Sequence, residues 1–198
     1  MTNQKIAVII LAAGKSSRMD KIKQLLPWKS KTLIENIIDI ALSTNSFEIF
    51  VVLGSSYNKI SKIICDYKIK LIYNKLWQKG IGESLSLAIK KIIKHPINFD
   101  GALIILGDQP LISSEYLNKM IEDFYKNRKY IIATKYKKSF GVPAIFGNIF
   151  FKKLTRLNKD FGAKKIMSDN KKFLKLIKVN HSELNDIDTL KDYQNLKY

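Results

Sequence analysis

The chain has little cysteine, proline and glycine for its 198 residues. Its one cysteine, Cys65, cannot form a disulfide within the chain, which excludes a disulfide-stapled secreted domain. Nine glycines and four prolines are too few for collagen-like or linker-like material. Apolar runs stay far below the roughly 18 residues that span a bilayer, and residues 1–5 do not resemble a secretory signal. Since 46% of the residues are hydrophobic, the chain is not disordered. We therefore expect a soluble, cytoplasmic protein with no membrane partner.

Acidic residues are also scarce, with 17 against 35 basic ones, which gives a formal net charge of +18. Such a charge attracts nucleic-acid phosphates, so a nucleic-acid-binding module is one interpretation. Only Arg18, Arg128 and Arg156 are arginines, however, although arginine is the residue that reads base edges. A solvated lysine surface, produced by A/T-rich codon usage, is the favoured interpretation. Nucleic acid is therefore not expected as a partner.

Apolar segments typical of buried strands alternate with amphipathic segments typical of helices. Strands are predicted over residues 6–11, 47–53, 68–73, 101–106, 130–134, 142–146 and 173–180. Helices are predicted from Thr32 onward and over 59–67, 84–94, 113–127, 149–157, 162–169 and after Thr189, with 12–31 as a long loop. This alternation predicts an α/β fold: a single three-layer domain with a mostly parallel, Rossmann-like sheet. Ligands bind such sheets at the carboxyl ends of the strands.

The loop after the first strand reads LAAGKSSRMDKIKQLLPW, from Leu11 to Trp28. Small residues let backbone N–H groups approach an anion closely, and cations neutralise a polyphosphate. We therefore predict phosphate binding, with a flexible basic loop as the alternative. Although Gly14-Lys15-Ser16 resembles the end of a Walker A motif, Ile9 stands where that motif requires glycine.

Two acidic segments are candidates for metal binding. Asp108 directly follows the strand over 101–106, where carboxylate oxygens suit Mg²⁺. Asp186 and Asp188 share one face of an extended chain. Their alternatives are a turn aspartate and a helix-capping acid. His95 and His181 lack the spacing of a zinc site, and Cys65 is predicted to be a core thiol of the helix over 59–67.

Six segments, in order, resemble the molybdenum cofactor cytidylyltransferase family within the MobA-like NTP transferases. These are Leu11-Ala12-Ala13-Gly14 with Ser16, Arg18, Met19 and Lys23-x-Leu25-Leu26-Pro27; 77–85, ending in Gly80-x-x-x-Ser84-Leu85; Asp108-Gln109-Pro110; Gly141-x-Pro143-x-x-Phe146; Asp160-x-Gly162-Ala163-Lys164; and Asp186-Ile187-Asp188-Thr189. Any one of them is unspecific, but six in order are strong support.

The resemblance implies a nucleotidyltransferase-type α/β fold and transfer of CMP from CTP to molybdenum cofactor (molybdopterin), with release of pyrophosphate. It implies Mg²⁺ as cofactor, held by Asp108 and Asp188. The catalytic residues it implies are Arg18, Lys23 and Asp108. The nucleotide-binding residues it implies are Leu11, Ala12, Ala13, Gly14, Ser17, Arg18, Lys23, Gly80, Ser84 and Asp108. The acceptor-binding residues it implies are Gln109, Pro143, Gly162, Ala163 and Lys164. One domain over 1–198 is expected, with a nucleotide-binding part of about 1–112 and an acceptor-binding part of about 113–198.

Three positions depart from the family pattern: Asp20 and Lys159 replace glycines, and Lys164 replaces an arginine. Asp20 would place negative charge near the triphosphate, and Lys164 lacks the bidentate fork of arginine. Another nucleotide (GTP or ATP), another small phosphate acceptor and a non-catalytic nucleotide-binding protein therefore stay open as alternatives. A molybdoenzyme or its chaperone is the expected recipient of the product.

Overall fold

The computed structural model describes residues 4–15, 19, 21–158, 162–179 and 184–197. The predictions made for Ser17, Arg18, Asp20, Lys159, Asp160 and His181 therefore lie outside the described residues. Within them, no helix is long and apolar enough to cross a membrane.

Short strands and helices follow one another along the chain. The strands are β1 (Ile6–Ala12), β2 (Pro27–Trp28), β3 (Lys31–Thr32), β4 (Glu48–Leu53), β5 (Lys70–Tyr73), β6 (Gly101–Leu106), β7 (Ile131–Lys135), β8 (Phe140–Gly147) and β9 (Leu174–Lys178). The helices are α1 (Leu33–Leu42), α2 (Tyr57–Ile63), α3 (Ile81–Ile93), α4 (Ser114–Lys126), α5 (Phe151–Leu154), α6 (Ala163–Asp169) and α7 (Leu190–Lys197). Single 3₁₀ turns cover Lys23–Leu25, Trp77–Lys79, Asn148–Phe150 and Lys171–Phe173.

Seven strands form one sheet in the order β5-β4-β1-β6-β8-β7-β9. β8 is antiparallel to both of its neighbours, and every other pairing in the sheet is parallel. β2 and β3 form a separate antiparallel ribbon. The predicted single α/β domain with a mostly parallel sheet is confirmed.

Helices cover both faces of the sheet. Because successive residues of a strand point to opposite faces, β1 sends Val8 and Ile10 into a core with α1 and α4. The intervening Ala7 and Ile9 enter a second core with α3, α5 and α6. Every residue of β1 is buried, as its uninterrupted apolar sequence predicts. The two cores and the sheet between them make up three layers.

Three local predictions are wrong. The long loop over 12–31 contains the 3₁₀ turn Lys23–Leu25 and the β2–β3 ribbon. α3 begins at Ile81 rather than Ser84, because Gly80 adopts a φ of 96° and turns the chain directly into the helix. Cys65 is exposed, since α2 ends at Ile63 and the residue lies past the end of the helix.

Candidate functional site

The central strands β1 and β6 are the point where the strand order reverses. β4 and β5 lie beyond β1 on one side, and β8, β7 and β9 lie beyond β6 on the other. Loops that leave such a pair of strands diverge, and the crevice between them is the usual ligand site of an open α/β sheet. The two strand ends stay close, because the backbone N–H of Gly107 donates to the carbonyl of Leu11 at 3.0 Å.

A cavity of about 210 Å³ lies at this crevice. It is lined by Leu11, Ala12, Gly14, Lys15, Met19, Lys23, Gln24, Gly107, Asp108 and Asp188. We call it the loop cavity. Its wall combines residues of the first loop with Asp108, which follows β6, and Asp188, which precedes α7. These segments are far apart in sequence.

The ammonium group of Lys23 lies between two carboxylates in the loop cavity. Its Nζ is 2.8 Å from Oδ2 of Asp108 and 3.6 Å from Oδ1 of Asp188. The side chains of Lys23 and Asp108 are 14% and 24% exposed, whereas that of Asp188 is 56% exposed. Lys23 therefore lines the loop cavity and contacts both proposed metal ligands.

The two carboxylates are fixed relative to each other by backbone as well as by Lys23. The N–H of Ile187 donates to the carbonyl of Asp108 at 2.9 Å, which pins the second acidic segment to the end of β6. Ile187 is fully buried beside Met19 and Leu26. Asp188 is thereby brought to Asp108, as the resemblance requires for a shared metal ion.

The carboxylate oxygens of Asp108 and Asp188 suit a hard divalent cation. Oδ1 of Asp108 is buried and has no hydrogen-bond partner among the described residues. Leaving such an oxygen unpaired is unfavourable, and a cation would satisfy it. No group of three or more carboxylate, imidazole or thiol side chains assembles anywhere in the described part of the chain. Two protein carboxylates with further oxygens from phosphates and water match the way Mg²⁺ is bound in nucleotide sites.

Gln24 holds the first loop in place. It is 5% exposed, and its Nε2 donates to the carbonyl of Ala12 at 3.1 Å and to that of Gly14 at 3.3 Å. Ser55 also holds this loop, because its hydroxyl donates to the same Gly14 carbonyl at 3.3 Å. Sequence reasoning missed Gln24. Its place next to Lys23 in the first motif was the only signal that could have found it.

A second cavity of about 320 Å³ adjoins the first and shares Leu11 with it. It is lined by Leu11, Ile81, Leu85, Ile104, Leu106, Gln109, Tyr136, Ser139, Phe140, Gly141, Val142, Gly162, Ala163, Lys164 and Asp186. We call it the apolar cavity. Most of its wall is hydrocarbon, with polar groups on a few residues.

A hydrogen-bond network crosses the polar part of the apolar cavity. Gln109, which is 1% exposed, donates from Nε2 to Oδ1 of Asp186 at 2.8 Å and to the hydroxyl of Tyr136 at 3.1 Å. The Tyr136 hydroxyl donates to the carbonyl of Val142. Tyr136 and Asp186 were not among the predicted site residues, although the paired acids around Ile187 had singled out Asp186.

Burial raises the pKa of both titratable groups in this network. For Asp186, desolvation of the carboxylate is the largest effect, and the nearby Asp108 and Asp188 charges add to it, while the Gln109 hydrogen bond and Lys23 lower its pKa. The pKa of the Tyr136 phenol is raised mainly by its burial, so the hydroxyl keeps its proton at neutral pH.

Some of the other predicted residues line a cavity, and some do not. Gln109, Gly162, Ala163 and Lys164 line the apolar cavity, as the resemblance implies for an acceptor site. Four predicted residues line neither cavity: Ala13, Gly80, Ser84 and Pro143.

Each of these four has a structural reason for its position. Ala13 packs into the core with β1, and Gly80 caps the start of α3. Ser84 is 3% exposed and accepts a hydrogen bond from Nδ2 of Asn74 at 2.9 Å. Pro143 is buried in β8, and its carbonyl accepts from Thr134 at 2.7 Å. Ser84 and Pro143 are thus buried and bonded within the fold, and substrate contact by either residue stays a prediction.

Comparison with known proteins gives matches over most of the chain. The profile of the MobA-like NTP transferase domain matches residues 8–174. The crystal structure of Rv0371c from Mycobacterium tuberculosis superposes with a TM-score of 0.87 at 27% identity, covering 100% of this chain and 99% of that one. A second Rv0371c structure, complexed with manganese, gives a TM-score of 0.82 at 25% identity and covers 98% of each chain.

Two curated proteins match in sequence. Purine catabolism protein PucB of Bacillus subtilis is 27% identical over 199 residues, which cover 93% of this chain and 92% of PucB. Bifunctional protein GlmU of Buchnera aphidicola is 32% identical over 154 residues, or 77% of this chain. The matched region spans about a third of GlmU, at 32% of its length.

Proposed function

Because the chain belongs to the family of MobA-like NTP transferase domains, we propose that it is a Mg²⁺-dependent nucleotidyltransferase. The proposed reaction transfers CMP from CTP to molybdenum cofactor and releases pyrophosphate. The observation that carries the proposal is the meeting of Asp108, Asp188 and Lys23 beside the first loop, where the loops that leave β1 and β6 diverge. A pair of carboxylates and an ammonium group there suit a triphosphate bound with a divalent cation.

In the proposed reaction, a phosphate oxygen of the acceptor attacks the α-phosphorus of CTP. A new phosphorus–oxygen bond forms, the bond between the α-phosphorus and the bridging oxygen breaks, and pyrophosphate leaves with that electron pair. Such transfer depends on positioning and charge neutralisation more than on covalent help from the protein. Asp108 and Asp188 would hold Mg²⁺, which would supply positive charge against the phosphates when bound.

Lys23 is proposed to change partners, from the carboxylates of the protein to the phosphates of the substrate. Its flexible four-carbon stem places the ammonium against two carboxylates. We propose that it turns to the leaving phosphates when a triphosphate enters, with Arg18 as a second cation. Backbone groups of Leu11, Ala12 and Gly14, with Ser17, are proposed to hold the nucleotide.

The apolar cavity is proposed to receive the acceptor. It shares the lining residue Leu11 with the loop cavity, which supports an acceptor bound beside the nucleotide. The proposed nucleotide-binding part of about 1–112 and the acceptor-binding part of about 113–198 overlap in space, since Asp188 lines the loop cavity and Gln109 lines the apolar cavity.

CTP is proposed because Ala12-Ala13 resembles the CTP-using branch of the family. A molybdoenzyme or its chaperone is the proposed recipient of the product.

Pyrophosphate release tests the proposal. The protein is incubated with Mg²⁺, each of the four ribonucleoside triphosphates and molybdenum cofactor, and the dinucleotide product is identified by mass. We expect pyrophosphate only with CTP and the acceptor together. Asp108→Asn should lower turnover by about 10²-fold or more, as loss of a preorganised electrostatic group does, whereas the remote Asp66→Asn exchange should not.

Two outcomes would contradict parts of the proposal. Turnover with GTP or ATP in place of CTP would overturn the nucleotide assignment. Binding of CTP and Mg²⁺ without pyrophosphate release, with molybdenum cofactor and with sugar phosphates alike, would indicate a non-catalytic nucleotide-binding protein.

A further inference from the structure

Another cavity, of about 800 Å³, lies between the first loop, α2 and α7. It is lined by Lys21, Ile22, Leu25, Leu26, Pro27, Lys59, Leu190, Tyr193 and Gln194. We call it the α7 cavity. None of these residues lines the loop cavity or the apolar cavity. Its volume falls in the range of roughly 300–1,000 Å³ that is usual for sites of small molecules.

One wall of the α7 cavity is a segment that also forms a wall of the loop cavity. Lys23 and Gln24, in the 3₁₀ turn of the first loop, line the loop cavity. Ile22 and Leu25, the residues on either side of that pair, line the α7 cavity. The turn that positions the Lys23 ammonium group is therefore covered on its other side by whatever fills the α7 cavity.

The start of α7 forms the opposite wall in the same way. Asp188 lines the loop cavity, and Leu190, two residues later, lines the α7 cavity. The backbone N–H of Asp188 donates to Oδ2 of Asp192 at 3.2 Å, which ties Asp188 to the first turn of α7. The Tyr193 hydroxyl donates to the Pro27 carbonyl and attaches α7 to the first loop. A shift of α7 would therefore move the proposed metal ligand.

The wall of the α7 cavity combines hydrocarbon with positive charge. Ile22, Leu25 and Leu190 supply apolar surface, and the Leu190 side chain is 40% exposed. Lys21 and Lys59 are exposed ammonium groups on the same wall, and no described residue that lines the cavity is acidic. Burial of apolar surface favours an apolar molecule, and charge complementarity favours one that is an anion.

We propose that the α7 cavity binds a small soluble molecule with an apolar body and one anionic group, and that this binding tightens the binding of a nucleotide with its metal ion in the loop cavity. A molecule that contacts both the first loop and Leu190 would hold together the two segments that carry Lys23 and Asp188. Such coupling is reciprocal, so the nucleotide tightens the binding of the anion by the same factor. The coupling rests on the proposed function, since it takes the loop cavity as the nucleotide site, whereas the α7 cavity as a binding site does not.

Two fluorescent probes with the same rings test the site. 8-Anilinonaphthalene-1-sulfonate is an apolar anion, and N-phenyl-1-naphthylamine lacks its sulfonate group. In titrations of the full chain, Lys59→Glu should weaken binding of the sulfonate at least about fivefold, because an attraction between surface charges becomes a repulsion. The uncharged probe should bind both proteins equally. Lys62→Glu is the matched control, since Lys62 is exposed on the same helix and does not line the cavity.

The coupling is measured on Mn²⁺ binding in the presence of a non-hydrolysable CTP analogue. Electron paramagnetic resonance reports free Mn²⁺ with and without saturating 8-anilinonaphthalene-1-sulfonate. We expect at least about fivefold tighter Mn²⁺ binding with the sulfonate, at the lower end of typical coupling between two sites. Lys59→Glu should lose this gain at the same sulfonate concentration and keep the Mn²⁺ affinity that the unaltered chain has without the sulfonate.

The outcomes separate this inference from the proposed function. Equal binding of the sulfonate to Lys59→Glu and Lys62→Glu, or its displacement by the CTP analogue, would overturn the α7 cavity as the site. Unchanged or weaker Mn²⁺ binding with the sulfonate would overturn the coupling. Sedimentation with phosphatidylglycerol vesicles that is lost in Lys59→Glu would overturn the assignment to a soluble molecule. Lys59-dependent sulfonate binding in a chain that does not bind the CTP analogue would contradict the proposed function, and the coupling with it, but not the α7 cavity.

Discussion

At the scale of single residues, the site depends on contacts between segments far apart in sequence. Lys23 contacts Asp108 and Asp188, and Gln24 holds two carbonyl groups of the first loop. The residue types at Lys23, Asp108 and Asp188 were predictable from motifs. Their pairing was not, because no local pattern shows that a lysine lies between two proposed metal ligands.

Gly54 is a residue whose lack of a side chain shapes the first loop. A Cβ there would lie 2.4 Å from the Ala13 carbonyl oxygen and 2.6 Å from Cβ of Trp77. Gly54→Ala should therefore displace the loop and lower the free energy of unfolding by about 1–3 kcal/mol, as overpacking does. Urea unfolding followed by circular dichroism measures this change.

Gly14→Ala is the matched control for that measurement. A Cβ at Gly14 meets no heavy atom of the described residues within 4 Å, so the free energy of unfolding of Gly14→Ala should change by less than about 0.5 kcal/mol. Similar losses in both variants would show that the close approach of Gly54 to Ala13 does not matter for stability.

At the scale of helices and strands, local sequence signals predicted most of the fold. Residues 101–106 form β6 as predicted, and α1 follows Thr32 with a capping box, in which the Glu35 N–H donates to the Thr32 hydroxyl. The start of α3 was wrong because Ser84 resembles a cap in sequence, while Gly80 and the packing of Ser84 against Asn74 decide the structure. Where two neighbouring residues could each begin a helix, tertiary contacts decide which of them does.

The cap of α4 gives a test at this scale. The Ser113 hydroxyl accepts from the N–H of Tyr116 at 3.2 Å, whereas Ser114, the first helical residue, directs its hydroxyl to the Glu115 carboxylate. Ser113→Ala should lower the free energy of unfolding by about 1 kcal/mol, as loss of an N-cap does. Ser114→Ala, an identical exchange one residue later, should change it little. Equal effects in chemical denaturation would contradict the assigned cap.

At the scale of the whole molecule, the order of the strands creates the site. β1 and β6 pair at the centre of the sheet, the loops that leave them diverge, and β8 runs antiparallel to its neighbours. Alternation of strands and helices predicted a mostly parallel sheet but not its order, since that order depends on which crossovers pack together. The order brings Asp188, which lies near the end of the chain, next to Asp108.

The central claim is that Asp108 and Asp188 together hold the divalent cation that accompanies CTP. Electron paramagnetic resonance reports free Mn²⁺ directly as the protein is titrated with a non-hydrolysable CTP analogue. We expect one Mn²⁺ per chain with the analogue bound. Asp188→Asn should weaken Mn²⁺ binding by at least about tenfold, a loss seen even for residues that only support a ligand, and Asp66→Asn should leave it unchanged. Equal Mn²⁺ affinity in the unaltered chain and in Asp188→Asn would contradict the account.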